Sequence, residues 1–120
     1  MTERAPRVLV VEDELFVAMM IEDYLRDLGF EVVGPALRLE RGLALARDEM
    51  LDFAVLDVNL ADKPSFPIAD ALRDRGVPFI FATGYGSLGL NDAYQGTRTL
   101  QKPFDLQDLA EAIGDRARSA

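Results

Sequence analysis

Short apolar runs alternate with amphipathic stretches along the whole chain, and that alternation predicts its elements. Val8-Leu9-Val10-Val11 is continuously apolar and ends in Glu12-Asp13-Glu14, the pattern of a strand covered on both faces in a parallel sheet. Val17, Met20, Ile21, Tyr24, Leu25 and Leu28 then fall three and four apart, one apolar stripe of a helix that Gly29 can stop. The same unit recurs. Phe30 to Gly34 predicts a second strand closed by Gly34-Pro35, and Leu39 to Glu49 a second helix with Leu39, Leu43 and Ala46 on one face. Asp52 to Val58 predicts the third strand, and about Pro67 to Arg75, before Gly76, the third helix. Val77 to Thr83 and Thr97 to Gln101 predict strands four and five. The last helix begins near Asp105, a good N-cap, and carries Leu106, Leu109, Ala110 and Ile113 on one stripe.

The fourth helix is the poorly specified element. Gly86 to Gly96 holds three glycines in eleven positions, and each costs about 1 kcal/mol relative to alanine inside a helix. A short, irregular or mobile segment is expected there. Five βα units in succession predict an α/β domain, with a parallel sheet and helices on both faces. Ligands of such sheets bind beyond the carboxyl ends of the strands.

Composition narrows the chemistry. The chain has 120 residues, enough for one domain, with 49% hydrophobic and 28% charged residues. Its net charge of −8 argues against nucleic acid, whose binding rests on neutralising phosphates with Lys and Arg. The absence of Cys and His removes disulfides, thiolate or imidazole metal ligands, and imidazole bases. No signal-peptide core and no apolar run near the ~20 residues of a membrane span is present, so a cytoplasmic protein without membrane contact is expected.

What remains gathers at one edge of the predicted sheet. Strand one ends in Glu12-Asp13, strand three in Asp57 with Asn59 beyond it, strand four in Thr83-Gly84, and strand five in Lys102-Pro103. Any one of these alone reads as a helix cap, turn or solvated loop. Together they place carboxylates where their repulsion calls for a cation, and an oxygen-only donor set suits Mg²⁺. With Mg²⁺ there, phosphoryl chemistry follows. Asp57 would attack phosphorus in line, Lys102 would neutralise the equatorial oxygens, and Thr83 would donate to them.

This arrangement resembles the receiver domain of bacterial two-component response regulators over essentially the whole chain. The resemblance implies a doubly wound, flavodoxin-like sheet of five parallel strands in the order 2-1-3-4-5 with five helices. It implies a single receiver domain over residues 1–120 without an effector domain. By the same resemblance Asp57 is the phospho-acceptor, with Thr83 and Lys102 assisting. Asp13, Asp57 and the Asn59 backbone carbonyl ligate Mg²⁺, Glu12 acts mainly through water, and the Lys102–Pro103 bond is cis. Such a chain catalyses only its own aspartyl phosphorylation and dephosphorylation. Pro78-Phe-Ile-Phe-Ala-Thr-Gly-Tyr85 further resembles the PFxFATGY signature of a single-domain group of receivers, sometimes called FAT GUY. That implies a sensor histidine kinase, of the HWE or a related class, or a phosphotransferase as partner, and a phosphorelay linked to stress responses; a monomer is expected, though the sequence itself leaves the oligomeric state open. One departure stands out: Thr99 lies three residues before Lys102, where ordinary receivers carry a switch aromatic. Tyr85 is the candidate replacement.

Three other readings compete. The first is a phosphorylation-controlled module that binds a target directly instead of acting as relay intermediate or sink. The second is a phosphatase of the haloacid dehalogenase type, which wants a second acid where Asn59 stands. The third is a dinucleotide site at Gly84-Tyr-Gly86-Ser-Leu-Gly89, which formally matches GxGxxG. It lacks both the acid that would bind a ribose and enough following chain.

Overall fold

The computed structural model describes residues 4–61, 63–84, 90–114 and 116. In chain order its elements are β1 (Arg7–Val11), α1 (Leu15–Asp27), β2 (Glu31–Ala36), α2 (Leu39–Asp48) and β3 (Phe53–Asp57). A hairpin of β4 (Asn59–Leu60) and β5 (Lys63–Pro64) follows, then α3 (Phe66–Asp74), β6 (Phe79–Thr83), a 3₁₀ turn at Asp92–Tyr94, β7 (Thr99–Gln101) and α4 (Leu106–Ile113). The main sheet is parallel in the order β2-β1-β3-β6-β7. Numbering only its own strands, this is the expected order 2-1-3-4-5.

Alternate residues of each central strand serve opposite layers, as a two-residue side-chain period requires. Leu9, Val11, Ala54, Leu56 and Phe81 face the layer of α2 and α3. Val8, Val10, Phe53, Val55, Ile80 and Ala82 face that of α1 and α4. Close approach on the first side depends on Gly42 of α2. A Cβ there would lie 2.7 Å from Ile68 Cδ1 and 3.3 Å from Val11 Cγ2, so a larger residue would push α2 away from α3 and β1. The last helix starts as expected, with a reciprocal capping box between Asp105 and Asp108.

Two expectations need correction, and one element was not expected at all. The second strand does not close at Gly34-Pro35 but runs on to Ala36. Its register gains one residue on β1 between Leu9↔Val33 and Val11↔Ala36, which is a bulge on an edge strand. Edge strands and bulges tolerate proline, and Gly34, at φ 96, fits where a Cβ would come within 2.8 Å of Ala36 N. The fourth helix is also different. Of Gly86 to Gly96, residues 86–89 lie outside the described residues, and the remainder holds only the 3₁₀ turn. The described residues therefore form four α-helices, not five. Only Leu90 and Tyr94 of residues 90–96 are buried, too little apolar surface to pin a helix over these described residues. Finally, the β4–β5 hairpin had no counterpart in the sequence pattern.

Candidate functional site

The strand registers bring the carboxyl ends of four strands to one level. Val11 pairs with Leu56, so Glu12 leaves β1 beside Asp57 at the end of β3. Asp57 pairs with Ala82, which sets Thr83 one step beyond it on β6. Thr83 pairs with Gln101, and its carbonyl accepts the Lys102 N–H at 2.9 Å. The longer β2 contributes here too, because the Ala36 carbonyl accepts the Glu12 N–H at 3.0 Å. An open cleft of about 410 Å³ results, lined by Asp13, Glu14, Asp57, Val58, Asn59, Thr83, Gly84 and Lys102.

Carboxylate oxygens of Glu12, Asp13 and Asp57 lie within 4.8 Å of one another. Glu12 is fully buried and satisfied: Lys102 Nζ donates to its Oε1 at 2.5 Å and the Glu14 N–H to its Oε2 at 3.0 Å. The same ammonium stands 3.4 Å from Asp57 Oδ2. One cation thus serves two of three acids. Burial, then the charge of Glu12, pushes the Asp57 carboxyl up to about 7, with Lys102 working against the rise. Burial alone would lower the Lys102 pKa; its contacts with Glu12 and Asp57 outweigh that and raise it. Asp13 shows the same contest in reverse. Burial would raise its pKa, but the Ala61 N–H and its neighbours hold it below the ordinary value.

A divalent cation fits this donor set. Three acids and one ammonium leave uncompensated negative charge, and hard oxygen donors suit Mg²⁺. The structure therefore brings together Glu12, Asp13, Asp57, Thr83, Asn59 and Lys102. The Lys102–Pro103 bond is cis, as the resemblance implied. Tyr85 lies outside the described residues.

Two features were missed in the sequence. Ala61, at the tip of the hairpin, donates its backbone N–H to Asp13 Oδ2 at 3.0 Å. Backbone donors leave no mark on residue type, so no signal for it exists. The other is Tyr94, whose ring is buried just ahead of β7. Its ring stacks on Phe66 at 5.6 Å, meets Phe81 edge-on at 5.6 Å, and lies under the Arg73 guanidinium at 4.7 Å. Its hydroxyl donates to Asp70. Phe81 stands two residues before Thr83 on the same face of β6. A lone tyrosine among Gly, Asn and Gln was the available signal.

Fold and site define a class. Residues 8–114 match the response regulator receiver domain, and the chain belongs to that family. Among individual proteins, it is 28% identical over 111 residues to the transcriptional regulatory protein PdtaR of Mycobacterium tuberculosis, covering 89% of this chain and 54% of that one. It is 33% identical over 115 residues to the phyllosphere-induced regulator PhyR of Methylorubrum extorquens, covering 92% of this chain and 43% of PhyR. The chain thus spans about half the length of these curated relatives. The solution structure of SdrG from Sphingomonas melonis Fr1 superposes with a TM-score of 0.83 at 36% identity, covering 98% of this chain and 100% of that one. A BeF₃-activated conformation of SdrG superposes at 0.76, with 38% identity over 92% and 96% of the two chains. The chain is a signalling module of two-component systems, and none of its described helices is long and apolar enough to cross a membrane.

Proposed function

We propose that Asp57 accepts a phosphoryl group from a sensor histidine kinase or phosphotransferase, and that the chain serves as a phosphorelay intermediate or sink. The observation that carries this reading is the position of Lys102. Its ammonium is bonded to buried Glu12 yet stands 3.4 Å from Asp57 Oδ2, ready to follow a phosphoryl oxygen. In the transfer, one Asp57 oxygen forms the new bond to phosphorus as the bond from phosphorus to the donor's leaving atom breaks. The electron pair of that bond departs with the donor.

Asp57 must be ionised to attack, so the groups that lower its pKa are those that make it a nucleophile. Lys102 is one. Asp13, Asp57 and the Asn59 carbonyl would hold Mg²⁺, with Glu12 acting through water; when bound, the ion supplies charge neutralisation for the carboxylates and the phosphoryl oxygens. Thr83, almost fully buried at the end of β6, would donate its hydroxyl to a phosphoryl oxygen. The likeness to SdrG, described in a BeF₃-activated state, supports an acceptor site of this kind.

A protein donor is supported by the rim of the site. Leu15, Phe16 and Met19 are exposed at the start of α1, directly after Glu12-Asp13-Glu14, and Phe16 is 86% exposed. Contiguous exposed apolar side chains mark a surface that another protein covers. The PFxFATGY resemblance favours a kinase of the HWE or a related class and a stress-response relay.

The test uses an autophosphorylated, labelled sensor kinase. Label is expected to move onto the wild-type chain only with Mg²⁺ present, and not onto Asp57→Asn. Equal labelling of both chains would overturn the reading.

A further inference from the structure

Ala61 is the one residue other than glycine with a positive φ among the described residues, at 49°. A Cβ makes that left-handed region unfavourable, so something must hold the backbone in it. The surrounding hairpin does. Asn59 pairs with Pro64 and Leu60 with Lys63 across the turn. Leu60 is buried, the Ser65 N–H closes back onto the Val58 carbonyl at 2.8 Å, and Lys63 Nζ reaches Glu40 of α2 at 3.0 Å. The conformation so enforced aims the Ala61 N–H at Asp13 Oδ2, from a hairpin that starts two residues after Asp57. Strain of this kind concentrates where a site needs a group fixed.

We infer that Ala61 is a positioning residue: its backbone N–H occupies one oxygen of Asp13 and fixes the carboxylate, leaving the other oxygen for a divalent cation. The inference rests on the metal reading of the site given above. Asp13 lines the cleft beside Glu12 and Asp57, and the Ala61 N–H restrains its carboxylate from the hairpin side. An oriented ligand binds more tightly, since less freedom is lost when the ion arrives. The hairpin is thus part of the metal site although none of its side chains needs to touch the ion.

The test compares wild type with Ala61→Gly, Ala61→Asn and Ala61→Val in the full chain. The dissociation constant for Mg²⁺ is read from NMR shift titration, and the melting temperature is measured without metal. Glycine and asparagine tolerate a positive φ and keep the N–H in place, whereas valine is strongly disfavoured there. Ala61→Val is expected to weaken Mg²⁺ binding about tenfold, with Ala61→Gly and Ala61→Asn within about twofold of wild type. If Ala61 only completes a turn, Ala61→Val melts lower but binds Mg²⁺ like wild type, and the inference is wrong. It is equally wrong if Ala61→Gly and Ala61→Asn lose as much affinity as Ala61→Val. A second readout does not depend on the valine variant folding: Asp13→Ala is expected to speed hydrogen exchange at the residue-61 amide in the metal-free chain, and unchanged exchange contradicts the contact. A wild-type chain that fails to bind Mg²⁺ at all overturns the metal reading and this inference with it, which separates the two failures.

Discussion

Replacing Asp57 by asparagine is expected to stabilise the metal-free protein, even though it deletes the proposed reactive group. The folded-state pKa of Asp57 is raised from 3.8 to about 7 by burial and by the charge of Glu12. A rise of roughly 3 units corresponds to a ceiling of about 4 kcal/mol of strain in the ionised form. The cleft is open and partly solvated, so screening reduces this, and about 2 kcal/mol is the reasonable expectation. The sign follows from linkage. A folded-state pKa above the unfolded one gives stability that is complete below about pH 4 and is lost as pH rises through about 7. An asparagine amide never ionises, so Asp57→Asn escapes that loss. Nor does the substitution orphan the ammonium, because Lys102 keeps Glu12 at 2.5 Å. Thermal melts at about pH 8 should show Asp57→Asn higher by roughly 8 °C, at about 4 °C per kcal/mol for a domain of this size. The gap should shrink toward zero near pH 4, and millimolar Mg²⁺ should raise the wild type more than the variant. An Asp57→Asn chain that melts at or below wild type at pH 8, or a gap independent of pH, would refute the electrostatic account.

Two further outcomes follow from the same geometry. Lys102→Met leaves fully buried Glu12 without its cation, a loss on the order of 3 kcal/mol for breaking a buried pair; urea unfolding measures it, and an unchanged midpoint would contradict the pairing. Tyr94→Phe removes only the hydrogen bond to Asp70 and should cost about 1 kcal/mol, whereas Tyr94→Ala should cost about 3 to 5 kcal/mol and speed exchange across residues 90–98. Equal protection in the alanine variant would show that Tyr94 does not anchor that segment.

The main sheet was legible because its strands are covered on both faces. Runs such as Val8 to Val11 and Phe53 to Leu56 then carry continuous apolar sequence between turn residues. The gathering of residues at their ends was legible for a related reason: parallel strands deliver Glu12, Asp57, Thr83 and Lys102 to one edge whatever the loops do. The illegible parts are those decided by tertiary context. Gly34-Pro35 reads as a stop, yet on an edge strand it forms a bulge that carries backbone pairing as far as Glu12. The hairpin of Asn59–Leu60 with Lys63–Pro64 is too short for any periodicity to show. Tyr94 buries a ring from a segment whose composition suggests solvent, because Phe66, Phe79 and Phe81 together offer it an aromatic site. The contact that fixes Asp13 comes from the Ala61 backbone, which residue identity does not encode.

The central claim is that Asp57 is the phosphoryl acceptor, and intact-mass spectrometry tests it most directly. The wild-type chain and Asp57→Asn are incubated with a small-molecule phosphodonor, each with Mg²⁺ and with chelator. The account predicts one added phosphoryl group on the wild type in Mg²⁺ alone, lost on mild alkaline treatment as an acyl phosphate must be, and none on Asp57→Asn. The same phosphoryl gain on both chains would contradict it.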